Sequence, residues 1–219
     1  MEVQLKSRLG EDAGAIEVSD FIWAERMNGP VLHQVVVGQL ANMRQGTHET
    51  KSRAYVIGSG RKLRAQKGSG RARVGDRKSP TMRGGGVAHG PHPRSYRQRT
   101  PVKVRRLALR IALADQLRRG NVAFVDEFGV TEPKTASVVE IIESFGAQSG
   151  ALLVTAEKDS ALLNSSANLA KVDIQMANLL SPAEVTKARQ LIITQAAAKR
   201  IDELWGQRQA APVRKLALA

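Results

Sequence analysis

Cysteine is absent from the 219-residue sequence, and aromatic side chains make up only 4% of it. Without cysteine the protein has no disulfide framework, no thiolate ligands for a metal and no cysteine nucleophile. No apolar run reaches the roughly 18 residues that a transmembrane helix needs, and the first twenty residues lack the apolar segment of a signal peptide. These absences favour a soluble intracellular protein that does not contact membranes.

Acidic residues are almost missing from one long stretch, Arg44 to Arg110, where only Glu49 and Asp76 accompany 19 lysines and arginines. The net charge of this stretch is +17, whereas that of the whole protein is +14, so the rest of the chain sums to −3. The stretch also holds 10 of the 19 glycines and few large apolar side chains. Because it buries too little apolar surface to offset the entropy of ordering, we expect a polyanionic partner, a nucleic acid, to order it.

The residues before this stretch carry weaker patterns. Two segments, 3–5 and 16–23, indicate short strands joined by a turn. A helix is predicted from Asn28 to about Met43, because apolar residues recur there at helical spacing. Its apolar face is formed by Leu32, Val35, Val36, Leu40 and Met43.

After residue 100, helical and extended patterns alternate. Strands are predicted at 122–125, 151–155, 172–174 and 191–194, and helices at 101–120, 135–145, 160–169, from Ser181 and at 195–205. The alternation predicts an α/β fold with a mostly parallel sheet and flanking helices, Rossmann-like but without a nucleotide site. The globular domain is expected to comprise residues 1–43 and 101–205, with an extended RNA-binding loop inserted at 44–100 and a basic tail at 206–219. Because the chain of the loop has to run outward and return, the loop could extend over roughly 90 Å at most.

Neither a phosphate-binding loop nor a metal site is indicated. The chain has no Gly-Lys pair, and neither GSGRKL nor GSGRAR fits the GxGxxG pattern. His89 and His92 stand three residues apart in a Gly/Pro-rich segment, but zinc needs three or four ligands and no acid or thiolate is nearby. We therefore expect no metal and no cofactor.

Acids after the predicted strands leave one enzymatic alternative open. Asp126 and Glu127 follow the strand at 122–125, and Glu157 and Asp159 follow the strand at 151–155. Active sites of α/β enzymes lie at such strand ends, although exposed loops also collect acids there. The alternative function is an α/β enzyme that acts on RNA and uses the basic stretch as a substrate clamp. The lack of any histidine after His92 speaks against it, and we expect no enzyme.

The basic stretch is the predicted binding site. Tyr55 and Tyr96 are its only tyrosines, and it contains no Phe or Trp, so stacking of bases on aromatic rings is not its main mode of binding. Arginine–phosphate forks fit better and suit structured RNA that is recognised by shape. The outer face of the helix after residue 101 is expected to meet phosphates as well. It carries Lys103, Arg105, Arg106 and Arg110.

The sequence closely resembles the bacterial large-subunit ribosomal protein four family. The resemblance covers nearly the whole chain in order, including PKTASVV and SANLAKVDI, and its most specific motif is QKGSGRAR followed by RGGG. The longest similar segments are HQVVVGQLANMRQGTHETKSR at 33–53, GSGRKLRAQKGSGRARVGDRKSPTMRGGGVAHGP at 58–91 and VKVRRLALRIAL at 102–113.

The resemblance implies a structural constituent of the large ribosomal subunit, cytoplasmic, which binds large-subunit ribosomal RNA, assists its assembly and adjoins neighbouring ribosomal proteins. It also implies that the loop tip lines the nascent-peptide exit tunnel and meets the nascent peptide, here with Arg64, Ala65, Gln66, Lys67 and Gly68. Some members repress their own operon, which no residue here indicates. The expected RNA-binding residues are Arg44, Lys51, Arg53, Arg61, Lys62, Arg64, Lys67, Arg71, Arg73, Arg77, Lys78, Arg83, Arg94, Arg97, Arg99, Lys103, Arg105 and Arg106.

The tip departs from the family pattern. The family commonly has Lys-Pro-Trp-Arg-Gln-Lys there, and this chain has Lys62-Leu63-Arg64-Ala65-Gln66-Lys67. The usual tryptophan is missing, which predicts a wider or differently charged tunnel constriction.

Overall fold

A computed structural model describes residues 1–130 and 132–206 of the chain. They divide into two units, one made of Met1–Leu40 and the described residues from Arg99 onward, the other of Ala41–Gln98. The first unit is an α/β domain, and Ala41–Gln98 is called the basic segment below. The tail predicted at 206–219 lies, after Gly206, outside the described residues. None of the described helices is long and apolar enough to cross a bilayer.

The α/β domain is built on one mixed sheet of six strands. They are β1 (Glu2–Lys6), β2 (Asp12–Glu17), β3 (Val122–Val125), β4 (Ala151–Thr155), β5 (Val172–Met176) and β6 (Gln190–Thr194). Their order in the sheet is β2-β1-β3-β6-β4-β5. Only β1 and β2 pair antiparallel, and the four other pairs are parallel. The prediction of an α/β fold with a mostly parallel sheet is therefore confirmed.

Helices lie between the parallel strands in the chain, as crossover connections require, and one follows the last strand. They are α1 (Asp20–Trp23), α2 (Gly29–Asn42), α3 (Val102–Arg118), α4 (Thr135–Ser144), α5 (Ser160–Ser166), α6 (Pro182–Lys187) and α7 (Gln195–Trp205), with a 3-10 helix at Ala177–Leu179. The capping box predicted for α6 is present, since Ser181 accepts a hydrogen bond from the Glu184 amide and the Glu184 carboxylate accepts one from the Ser181 amide.

Two apolar cores lie on the two faces of the sheet. Along β6, Leu191 and Ile193 belong to the core that includes α1, α2, α3, α6 and α7, whereas Ile192 belongs to the core that includes α4 and α5. Alternate side chains of a strand point to opposite faces, so β6 is covered on both sides. This explains why its sequence reads as a continuous apolar run rather than an alternating one.

Trp23 is the largest buried side chain of the first core. It is 1% exposed, and its ring centroid lies 5.2 Å from that of Phe124 in an edge-to-face arrangement. The indole N–H donates a hydrogen bond of 3.3 Å to Asp202 Oδ1, while the Ser19 amide donates one of 2.9 Å to Oδ2. Burial raises the pKa of Asp202 above its usual range, and the two hydrogen bonds oppose that rise because they favour the carboxylate.

Buried Gln116 joins α3 to the end of α6. Its Nε2 donates to the carbonyl oxygens of Val185, at 2.9 Å, and Ala188, at 3.1 Å. Its Oε1 accepts from Asn121 Nδ2 at 3.0 Å. All the polar atoms of this buried amide are thus used, which is what makes its burial tolerable.

Two sequence predictions in the α/β domain are wrong. Residues 16–23 do not form one strand: β2 ends at Glu17 and α1 begins at Asp20. Leu40 and Met43, predicted to share the apolar face of α2, are 55% and 81% exposed. Only the amino-terminal part of that helix buries its apolar side chains, with Leu32 and Val35 in the core.

Candidate nucleic-acid interface

The basic segment holds itself together through hydrogen bonds rather than through regular structure. Residues 43–101, all of which are described, form neither helix nor strand. Backbone and side-chain hydrogen bonds instead join its outgoing limb to its returning limb. The bonded pairs are Asn42 with Gln98, Gly46 with Arg94, Thr50 with Pro91, Lys51 with Val87, Leu63 with Gly75 and, within the returning limb, Lys78 with Gly86.

Three glycines permit this close approach of the two limbs. A methyl group on Gly46 would collide with the Arg94 carbonyl, and one on Gly86 would collide with the backbone of Ser52 and Arg53. A methyl group on Gly90 would collide with the Thr50 hydroxyl. At these positions the lack of a side chain lets the backbone lie close to another part of the segment itself.

The predicted RNA-binding cations of the basic segment are nearly all accessible. Thirteen are exposed and Lys78 is half-buried. Between residues 41 and 98, all described, the only ion pair joins Arg53 Nε to Asp76 Oδ2 at 4.0 Å. The exposed cations are Arg44, Lys51, Arg53, Arg61, Lys62, Arg64, Lys67, Arg71, Arg73, Arg77, Arg83, Arg94 and Arg97. So many unneutralised charges repel one another, and a polyanion would relieve that repulsion.

Asp76 is the half-buried acid of this segment, whereas its other acid, Glu49, is exposed. The Asp76 side chain is 13% exposed, and Oδ1 is buried without a hydrogen-bond partner among the described residues. It lines a cavity together with Arg53, Lys62, Gln66 and Arg73. The carboxylate therefore partly balances the positive charge of these neighbouring side chains.

The two limbs also meet at Tyr96. The guanidinium carbon of Arg44 lies 3.9 Å from the ring centroid, and that of Arg94 lies 4.4 Å from it. The Tyr96 hydroxyl is 3.3 Å from His48 Nε2. Arg44 and His48 belong to the outgoing limb, whereas Arg94 and Tyr96 belong to the returning one.

The predicted tunnel tip is accessible throughout. Arg64, Ala65, Gln66, Lys67 and Gly68 are all exposed. A hydrogen bond from Lys62 Nζ to Gln66 Oε1 closes the turn at this point. No aromatic side chain lies between Tyr55 and Tyr96, so the tip presents only small, amide and cationic groups.

In the α/β domain, the cations of α3 fall into two classes. Lys103 and Arg105 are exposed, as is Arg99 just before the helix, and Arg106 is half-buried. Arg110, predicted to face phosphate, instead contacts other residues of the α/β domain. It is 15% exposed, its Nε donates to Glu25 Oε2 at 3.0 Å, and its guanidinium lies 4.4 Å from the Phe21 ring centroid. That part of the prediction is wrong, because a carboxylate far away in sequence already neutralises the charge.

Comparison with known proteins identifies the family. The model of the ribosomal protein L4/L1 family matches residues 16–204. Large ribosomal subunit protein uL4 of Desulforudis audaxviator is 45% identical over 195 residues, which cover 89% of this chain and 94% of that protein. The uL4 proteins of Pelotomaculum thermopropionicum and Symbiobacterium thermophilum are 42% and 40% identical, over 93% and 94% of this chain and 98% and 99% of theirs. The chain belongs to the ribosomal protein L4/L1 family.

Membership of the L4/L1 family makes the chain a ribosomal protein and not an enzyme. One of the acids at the strand ends has a structural role. Asp159 is the N-cap of α5, where it accepts from the amides of Ala161 and Leu162. His89 and His92 are exposed, and the described residues contain no cluster of three potential metal ligands.

Sequence reasoning missed the residues that shape the segment of this L4/L1 family member. Gly46, Gly86 and Gly90 give no local signal of their contacts, because the atoms that they approach most closely lie 33 to 48 positions away along the chain, in the other limb. Tyr96 was noted only as a scarce aromatic. Its ring lies beside Arg44 and His48 of the outgoing limb and Arg94 of the returning limb, and these contacts can be seen only in the folded structure.

Proposed function

We propose that this protein is a structural constituent of the large ribosomal subunit that binds large-subunit ribosomal RNA through its basic segment. The observation that carries the proposal is the set of thirteen exposed lysines and arginines accompanied by a single ion pair. Such a surface gains affinity by releasing counterions from phosphates. Its relatives are named as large ribosomal subunit proteins. Bacterial ribosomes lie in the cytoplasm, which is where this ribosomal protein acts.

Binding of the full chain to a large-subunit ribosomal RNA transcript tests this proposal. We expect the transcript to bind at least tenfold more tightly than an unrelated structured RNA of equal length and charge, with affinity that falls steeply as salt rises. The comparison should be made at several salt concentrations, so that shape recognition is separated from charge. Equal affinity for both RNAs at every salt concentration would show that the segment is only a nonspecific polycation.

The exposed cations of α3 extend the same proposal. Lys103 and Arg105 project from the α/β domain without a carboxylate partner among the described residues. We assign them to phosphate contacts, together with Arg99 and with Arg106, which is half-buried. Arg110 is left out because Glu25 already pairs with it. Neighbouring ribosomal proteins are the other partners that this surface would adjoin.

We also propose that residues 64–68 line the nascent-peptide exit tunnel, where they would meet the nascent peptide. The support is the family membership and the exposure of all five side chains or backbones at this turn. Because Arg64 and Ala65 stand where the family has Trp-Arg, we expect a constriction without a bulky aromatic group. A density map of the ribosome that contains this protein measures this directly. A bulky side chain from this segment filling the constriction would contradict the prediction.

A further inference from the structure

We propose that Tyr96 is a positioning residue whose ring holds Arg44 and Arg94 as a pair that binds phosphates of one RNA strand. This inference rests on the proposed RNA-binding function and adds to it a residue that carries no charge. The ligand class is the phosphodiester backbone, not a nucleobase.

The geometry brings two cations to one ring. Both guanidinium carbons lie well inside the ~6 Å range of cation–π attraction, at 3.9 and 4.4 Å from the ring centroid. They can therefore be no more than 8.3 Å apart, the sum of these two distances. Stacking occupies the flat face of a guanidinium and leaves its N–H edge free to donate to phosphate oxygens. Successive phosphates of one strand fall within this spacing.

The arrangement depends on both limbs of the basic segment. Arg44 comes from the outgoing limb and Arg94 from the returning limb, and the Arg94 amide donates a 3.1 Å hydrogen bond to the Gly46 carbonyl. The bare backbone of Gly46 leaves room for the Tyr96 ring beside it. The Tyr96 hydroxyl meets His48 Nε2 at 3.3 Å. Tyr96 is half-buried by these contacts, whereas Arg44 and Arg94 stay exposed.

The charges around the ring favour an anion. Neither Arg44 nor Arg94 has a carboxylate within ion-pairing distance among the described residues, so the Tyr96 ring attracts both cations without neutralising them. Asn42, Gln45, Thr47, Ser95 and Arg97 line the same cavity and supply further polar groups. The guanidiniums of Arg44 and Arg94 compete with any base for contact with the ring. Phosphate oxygens and ribose hydroxyls are therefore the groups that this surface fits.

Substitution of Tyr96 tests the inference without changing the net charge. Tyr96→Leu removes the ring at constant charge, and we expect affinity for the ribosomal RNA transcript to fall about tenfold at about 150 mM salt, from the loss of two cation–π contacts. Tyr96→Phe keeps the ring and should bind within about twofold of the natural protein. Equal losses in the two variants would assign the effect to the hydroxyl and overturn the proposal.

A coupling measurement separates positioning from simple packing. Arg44→Gln should weaken RNA binding strongly in the natural protein. In the Tyr96→Leu background it should weaken binding much less, because without the ring Arg44 and Arg94 are no longer held together. Additive losses would overturn the proposal.

Polyglutamate should not compete with the transcript for the protein. Effective competition would point to an acidic protein as the partner and would also overturn the proposal. If the natural protein shows no preference for the transcript, the proposed function fails, whereas preference retained fully by Tyr96→Leu defeats only this inference.

Discussion

Replacing nine cations of the basic segment with glutamine is expected to weaken binding to a large-subunit ribosomal RNA transcript by about a thousandfold at about 150 mM salt. Each phosphate contact contributes about 0.7–0.9 to the slope of log affinity against log salt, so the slope should become shallower by about 6–8 if all nine contact phosphates. Filter binding or fluorescence anisotropy over a salt series measures both quantities. The nine are Arg61, Lys62, Arg64, Lys67, Arg71, Arg73, Arg77, Lys78 and Arg83.

The matched control exchanges the same nine residues for the other cation, arginine for lysine and lysine for arginine. Charge is then preserved while the planar fork of arginine is lost at six positions. We expect the salt slope to stay near that of the natural protein and the affinity to fall by no more than about thirtyfold. A neutralised protein that binds as tightly as the natural one would mean that these nine residues do not carry the RNA-binding surface, which would then lie in the remaining cations of the segment or in the α/β domain.

Trp23→Ala is expected to lower the free energy of unfolding of the α/β domain by about 3–5 kcal/mol, the range for emptying a buried aromatic site. Trp23 is 1% exposed and packs edge-to-face on Phe124, so the substitution leaves a cavity in the larger core. It also removes the indole donor from Asp202. Urea unfolding followed by circular dichroism measures the change, since the helices and strands all lie outside residues 43–101.

The pH dependence of this loss in free energy of unfolding shows how much of it comes from Asp202. Burial raises the pKa of Asp202, and loss of the indole hydrogen bond, which favours the carboxylate, raises it further. The ionised form is thus penalised more in Trp23→Ala than in the natural protein, so the deficit should shrink as pH falls through the pKa of Asp202. Trp23→Phe, which keeps a ring against Phe124, should cost less. A deficit that grows with acidity would contradict this account.

Local patterns predicted most of the α/β domain. β3, β4 and β6 are short apolar runs because helices cover both faces of the sheet, and α7 was predicted with its observed bounds, Gln195–Trp205. The capping box at Ser181 is likewise a short-range device that the sequence displays in full. Such features need only neighbours along the chain, so the sequence suffices to find them.

The wrong predictions concern residues whose structure depends on contacts with residues far away in the sequence. Residues 16–23 carry apolar side chains in a strand-like spacing, but Trp23 is drawn into a helical turn that reaches Phe124 and Asp202. Arg110 looked like another phosphate ligand until the fold placed Glu25 beside it. The positive charge of the basic segment is a property of composition and could be predicted. The contacts of Gly46, Gly86 and Tyr96 join residues of separate limbs and could not.

The bonds between Asn42 and Gln98 have a consequence for the entropy of binding. They draw together the two ends of the basic segment, so the base of this loop is already joined before any RNA arrives. A segment that is bonded to itself in this way loses little additional conformational freedom when it binds. Most of the ordering that accompanies binding is therefore expected in the RNA.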